Sequence, residues 1–304
     1  MRKHQTGAAL LAVLVVSISL SVLMGYTSIR MQQRLAVAEA AKVKLTDLAA
    51  VTQKLSELTY LLATQRITAA GVSQGSNAEG IKKDDDGHWL YQLTNDELRA
   101  DGHKYQASGV EFSIQNESGL IPINSSTQYW LKKWLSSNGF DYSRKNKLAA
   151  IVADYADPDE IRRPGGAEYE VQGPGNYLLQ SCRELLQLDR WRTLLEQQPD
   201  FINNCTLRRT PTLNLNAVPN HLWQDLWPDS AAKISQARET GSWLLQDNDF
   251  LQFEPGMLSL DSDLYSRQGG RGFRVNVGTK SASKAVRIQI EHNKNMSYSV
   301  RTVR

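Results

Sequence analysis

Asp154, Asp157 and Asp159 fall close together in the chain, and Glu160, Glu168 and Glu170 follow on either side of a Pro164-Gly165-Gly166 turn. Calcium takes roughly six to eight hard oxygens, supplied by carboxylates and backbone carbonyls on flexible loops. The candidate ligand set is Asp154, Asp157, Asp159 and Glu168, although the spacing is not that of an EF-hand. The competing reading is a solvated loop in which Asp157 and Asp159 cap turns and pair with Arg162 or Arg163.

Cys182 and Cys205 are the second chemically competent pair. They read as a disulfide if this part of the chain is exported, or as two buried thiols if it is not. The disulfide would close a loop of about 24 residues, worth roughly 3 kcal/mol in the chain-entropy model. No set of residues suggests catalysis. There is no GxSxG and no HExxH, and His4, His88, His103, His221 and His292 are scattered without metal spacing. The expectation is that the chain is not an enzyme.

These residues need elements to hold them. A helix over Lys147 to Ala156 delivers the aspartates to the acidic loop, and a helix over Cys182 to Trp191 carries the first cysteine. With a helix following Ser125-Ser126-Thr127, they make residues 125–210 a mostly helical module. Strand-like segments flank it: Trp89 to Leu93, the alternation from Lys104 to Ile114, and Leu120 to Asn124 before it; Thr212 to Asn216 after it. Asn216 is the expected cap of a helix carrying Leu222, Leu226 and Trp227, and a second helix covers Ala231 to Thr240. This pair has the cadence of a helix-hairpin-helix, which binds DNA backbones. Its turn, however, offers Asp229 and little basic charge, so packing is the expected role and nucleic acid is not an expected partner. Phe273 to Val277, Ala285 to Glu291 and Tyr298 to Val303 read as an antiparallel meander.

Everything hangs on one apolar stretch. Ala8 to Ile29 carries no charge, and as a helix it spans roughly 30 Å, the thickness of a bilayer core. Arg2 and Lys3 precede it, which sets the N-terminus on the cytoplasmic side. It can be read as a long signal peptide, as a plain anchor, or, because Gly7 separates the basic leader from the apolar run, as a prepilin-type leader cut before Ala8. Helix-forming sequence without Pro or Gly continues to about Ala70, with Leu45, Leu48, Val51, Leu55, Leu58 and Leu62 at three- and four-residue steps. Ala12, Ser17, Ser21 and Gly25 are small enough to let neighbouring membrane helices approach.

The chain has 304 residues, with 35 basic against 32 acidic side chains. Mean hydropathy is -0.44. That is a soluble body on one anchor, and its near-balanced charge does not suggest a nucleic-acid protein.

In order and spacing these segments resemble the general secretion pathway protein K family, the large minor pseudopilins of the type II secretion system. The resemblance rests on MRKHQTG before AALLAVLV, on ESGLIPIN, on DYADPDEIRRPGGAEYE, on TLNLNAVP and on FRVNV. It is least typical over residues 176–210. Most pilin-like subunits carry glutamate at the fifth mature position, where this chain has Ala12. A tip subunit has no neighbour above it whose amine such a carboxylate would neutralise, and an unpaired carboxylate in an apolar bundle is costly.

The resemblance implies an α+β fold: a pilin-like long N-terminal helix packed on an antiparallel sheet, with a mostly helical domain inserted between strands. The divisions are residues 1–7 (leader), 8–29 (membrane part), 30–124 (helix and first part of the sheet), 125–210 (helical insertion) and 211–304 (helical hairpin and remaining sheet). It further implies cleavage between Gly7 and Ala8 by a prepilin peptidase, methylation of Ala8, and calcium in the helical domain. Placement would be single-pass in the inner membrane with a periplasmic body. Implied partners are other minor pseudopilins in a tip complex and the major pseudopilin, met through Ala12, Ser17, Ser21, Gly25, Leu45, Leu48 and Leu55. The role would be to cap or initiate a pseudopilus that supports export of folded proteins. A minor pilin of a type IV pilus is the alternative.

Overall fold

The computed structural model describes residues 5–75, 93, 96–159, 161–166, 176–245, 249, 261–267, 269–293 and 296–303. α1 runs Gln5–Thr64, 60 residues, which at 1.5 Å each is a rod of about 90 Å. It stops short of the expected Ala70 because Thr68 turns the chain: its Oγ1 accepts from the N–H groups of Ala70 (3.2 Å) and Gly71 (3.3 Å). The turn leads into β1 (Gly71–Val72), which pairs antiparallel with β2 (Leu98–Arg99). Residues 10–46 of the rod are exposed. Beyond them Val51, Leu58 and Leu62 are buried.

The apolar stretch from Lys104 to Ile114 is a hairpin rather than one strand. β3 (Asp101–Ala107) turns into β4 (Val110–Asn116) through Ser108 (φ 52°) and Gly109 (φ 77°). Positive φ at both turn positions is the geometry that matches strand twist in a two-residue hairpin loop. β5 (Ile121–Pro122) follows a short 3-10 turn at Glu117–Gly119.

The helical insertion begins with α2 (Tyr129–Ser137) and α3 (Tyr142–Ala156). Thr127 Oγ1 accepts from the Tyr129 N–H at 3.5 Å, while the cap residue of α2 is Gln128, in the left-handed region, whose own side chain makes no cap bond. α3 starts earlier than Lys147 because Asp141 caps it, accepting from the Arg144 N–H at 2.8 Å. A 3-10 turn at Cys182–Gln187, α4 (Asp189–Gln197), α5 (Phe201–Asn204) and β6 (Cys205–Thr206) complete it. β6 lies parallel to β5.

β7 (Leu213–Asn214), α6 (Asn220–Leu226) and α7 (Pro228–Glu239) form the helical hairpin, and β8 (Tyr265–Ser266) pairs parallel with β7. Asn216 is not the cap of α6, which starts after Pro219. Its amide instead clamps Leu244, donating to the carbonyl at 2.9 Å and accepting from the N–H at 3.0 Å. β9 (Gly272–Gly278), β10 (Ser283–Asn293) and β11 (Met296–Val303) are the meander expected at the C-terminal end. Trp89 to Gln92, most of another expected strand, lies outside the described residues.

The main sheet is antiparallel in the order β11-β10-β9-β4-β3. Its inner face, with Phe112, Ile114, Phe273, Val275 and Ile288, packs on Val51, Leu58 and Leu62 of α1. A second core fills the helical unit around Trp130, Trp134, Trp191, Trp223 and Phe201. This is the long helix on an antiparallel sheet, with a largely helical region between strands, that the sequence implied.

The two cores meet at a polar seam. Glu117, 2% exposed, accepts from Arg274 of β9 (3.3 Å) and Arg287 of β10 (2.7 Å). Arg274 also donates from Nη1 to the Asn203 carbonyl at 3.0 Å, at the edge of the helical unit. Gly119 sits so close to the hairpin that an added Cβ would lie 2.1 Å from the Ala217 carbonyl oxygen.

Candidate functional site

Two regions carry the candidate residues: the surface of α1 and the acidic loop. Gly7 and Ala8 lie in the first turns of α1. Ala12, Ser17, Ser21 and Gly25 follow on its exposed length. An added Cβ at Gly25 would meet nothing within 4 Å. Ser21 Oγ donates to the Ser17 carbonyl at 2.9 Å, and Ser19 Oγ to that of Val15 at 2.8 Å. The hydroxyls are thus satisfied inside the helix, as a lipid environment requires. α1 is long and apolar enough near its start to cross a membrane.

Nearer the body the expected leucine stripe divides. Leu45 and Leu48 are 67% and 42% exposed, whereas Leu55 packs on the sheet core. The division falls where the sheet begins. Ser281, in the turn between β9 and β10, donates to Asp47 at 2.5 Å; Lys284 donates to Thr52 at 3.0 Å; Lys54 lies 4.6 Å from the Phe112 ring centroid. The Ser281 and Thr279 hydroxyls hold the Asp47 carboxyl below its ordinary range.

In the acidic loop the carboxylates converge on an arginine. Asp154, wholly buried, accepts from Arg163 twice: from its backbone N–H at 3.2 Å and from Nη1 at 3.0 Å. The same Nη1 reaches Asp157. Asp157 first, then Asp154, raise the Arg163 guanidinium above its usual value. Gly166 lets the loop close over this pair, since an added Cβ would lie 1.7 Å from Asp154 Oδ2. Asp159 turns away, its Oδ1 accepting from the Ile161 N–H at 2.8 Å. Glu160, Glu168 and Glu170 lie outside the described residues. Asp157 Oδ1 is buried without a hydrogen-bond partner among the described residues. Nor among them does any group of three or more His, Cys, Asp or Glu side chains converge as a metal site.

Cys182 and Cys205 are joined in a disulfide, with Cα atoms 6.3 Å apart. It ties the 3-10 turn to β6. Asn124 reinforces the same corner, donating to the carbonyls of Leu179 (2.9 Å) and Leu207 (3.2 Å). The hairpin α6–α7 is built into the helical core through Leu222, Trp223, Leu226, Trp227 and Ile234.

Residues with no sequence signal prove central. Arg99, Asp101 and Arg238 form a buried cluster: Arg99 Nη2 bonds Asp101 at 2.6 Å and Arg238 Nη1 bonds it at 3.2 Å. Glu239 takes the other side of Arg99 at 2.8 Å. Arg99 and Asp101 are near neighbours in sequence, but nothing local marks them as interior, because Arg238 and Glu239 arrive from a distant part of the chain.

A crystal structure of the GspK-GspI-GspJ complex from the enterotoxigenic Escherichia coli type 2 secretion system contains a chain of similar fold. It covers 89% of the present chain and 99% of its own length, with a TM-score of 0.50 and 12% identity. The chain has a pilin-like fold. No family model and no curated protein matches the sequence. The pilin-like likeness therefore rests on architecture: one long helix laid on a sheet, with a helical region between the strands.

Proposed function

We propose that this chain is a minor pseudopilin that caps or initiates the periplasmic pseudopilus of a type II secretion system, supporting export of folded proteins across the outer membrane. One observation carries the reading. Residues 10–46 of α1 are exposed along their whole length, while Val51, Leu58 and Leu62 are locked into the body. A helix built this way buries its free length in a membrane or against other helices. Ala12, Ser17, Ser21 and Gly25 suit close helix approach, and Leu45 and Leu48 supply apolar contact beyond the membrane. The helical insertion adds bulk beside the sheet, which a terminal subunit tolerates and a repeating one does not. The proposed partners are other minor pseudopilins in a tip complex and the major pseudopilin. Prepilin peptidase cuts between Gly7 and Ala8, and the new Ala8 amine is methylated. The role is structural rather than enzymatic. The chain lies in the inner membrane with its body in the periplasm.

Calcium belongs to the same reading. The buried, unpartnered Asp157 Oδ1 supports it, and Asp154, Asp157, Asp159 and Glu168 are the proposed ligands, with the Arg163 guanidinium displaced on binding. Removing divalent ions then lowers the melting temperature of the body, and unchanged melting excludes the site.

The test of assembly mixes residues 31–304 with the soluble parts of minor pseudopilins from the same genome and weighs the product. A discrete complex with one copy of each supports the tip role. A monomer indifferent to every candidate excludes it.

A further inference from the structure

The outer face of the sheet does not pack flush on the helical unit. Between them lies a cleft of about 1020 Å³, of the size that holds ligands. We propose that it binds an extended acidic peptide segment of a partner protein, a role separate from helix-mediated assembly.

Charge is the first observation. The lining carries five cationic side chains, Arg99, Lys104, Arg183, Arg274 and Arg287, against two carboxylates, Asp101 and Glu117. From outside the lining Glu239 pairs with Arg99 and Glu111 with Lys104, which leaves a smaller cationic excess that includes Arg183. Both carboxylates are buried and already held by arginines. A groove with an excess of one sign of charge focuses its field on an oppositely charged ligand.

Two unmet hydrogen bonds are the second. Gln115 is 7% exposed and lines the cleft. Its Nε2 donates to the carbonyls of Asn116 and Ala217, both at 2.8 Å, while its Oε1 has no partner among the described residues. Arg287 bonds Glu117 through Nη2 at 2.7 Å, while its buried Nε lacks a partner among the described residues. A buried unmet polar atom is costly. One atom asks for a donor and the other for an acceptor, which is what a peptide group offers.

Spacing is the third. Gln115 stands opposite Arg274, and Arg274 opposite Arg287, so the two orphaned atoms belong to strands either side of β9. That separation is about 10 Å, the length of roughly three extended residues. Among the described residues no Trp, Tyr or Phe lines the cleft, and its rings are those of His103, His221 and Pro219, so an acidic sugar would find no large aromatic face to stack on.

The test uses the full-length protein in neutral-lipid nanodiscs at about 0.15 M salt. Fluorescence anisotropy follows a labelled peptide of alternating glutamate and glycine, its glutamine counterpart, and polygalacturonate as competitor. Ala285 is exposed on the cleft wall, outside the buried ion pairs, so Ala285→Glu adds repulsion without disturbing the fold, and an unchanged melt confirms it. Arg183→Ala is the second variant. The expected result is saturable binding of the glutamate peptide, about tenfold weaker for the glutamine peptide and for Ala285→Glu, and weakened by Arg183→Ala. Absent binding, equal binding of both peptides, indifference to both variants, or stronger binding of polygalacturonate overturns the proposal.

Discussion

Arg238 Nη1 lies 3.2 Å from Asp101 Oδ2, with both side chains at most 2% exposed. The pair joins α7 to the first strand of the main sheet. Arg238 also donates to the carbonyls of Val218 (2.8 Å) and Leu215 (2.9 Å) and to Asn220 Oδ1 (3.0 Å), so one guanidinium serves four acceptors around the seam. Burial lowers its pKa to about 10 even though Asp101 opposes the shift.

Arg238→Met leaves Asp101 with Arg99 and the His103 N–H only, and orphans those carbonyls. A buried pair broken on one side costs about 3–5 kcal/mol. Urea unfolding of residues 31–304 measures it, and a loss below about 1 kcal/mol would show that the seam carries little stability.

Gly119→Ala sets a methyl 2.1 Å from the Ala217 carbonyl oxygen. Backbone lies on both sides of the clash, so relief requires the two units to separate. The expected outcome is a loss of about 3 kcal/mol or more, of the kind seen on overpacking. Gly25→Ala, in open space, serves as the control and leaves melting unchanged.

Reduction of the Cys182–Cys205 bond, which spans 23 residues in sequence, costs about 3 kcal/mol in the chain-entropy model. Melting with and without reductant reads this directly. Asn124 and the β5–β6 pairing remain, so the corner loosens without opening.

The Tyr155 hydroxyl donates to Gln187 at 3.2 Å, and burial first, then Tyr177, push its pKa up to about 12. An unfolded tyrosine ionises near 10. The folded chain therefore holds the proton more tightly. Its stabilising contribution is whole below pH 10 and is lost as pH rises through about 12. Arg238 acts in the opposite sense, since its folded value lies below its ordinary one. The difference between wild type and Tyr155→Phe isolates the tyrosine. Its stability gap should narrow between pH 10 and 12, and a constant gap would count against the assignment.

Locally patterned parts of the structure were readable from sequence. The charge-free stretch and the run without Pro or Gly announce α1, and alternation announces β9 and β10. The hairpin of β3 and β4 reads as one strand-like stretch in the sequence because Ser108-Gly109 is a weaker turn signal than Asn-Gly. The start of α3 carries little sequence signal because Asp141 follows the Asn138-Gly139 break so closely. Asn216 looks like a cap by type and position, yet the loop it clamps lies at Leu244, which no spacing rule connects. In the acidic loop the competing pairing with Arg163 was foreseeable from charge. That Asp154 would be wholly buried was not, because burial depends on Gly166 closing over it. The Asp101–Arg238 and Glu117–Arg274 contacts, 137 and 157 residues apart, leave no local trace.

Sheet order has a consequence for the sequence of events in folding. β9 sits at the centre of the sheet, between β4 and β10, and the face that α1 covers is completed largely by β9, β10 and β11. The rod is made first, but most of its binding partners are the last residues delivered. Closing β4 on β9 spans just over half of the chain, and such long closures are slow. The helical unit draws its core largely from one continuous stretch and should consolidate earlier. Each newly made molecule thus stays open along its spine until its last strands arrive, so truncation at residue 270 is expected to leave a folded helical unit beside an unclosed, protease-sensitive α1.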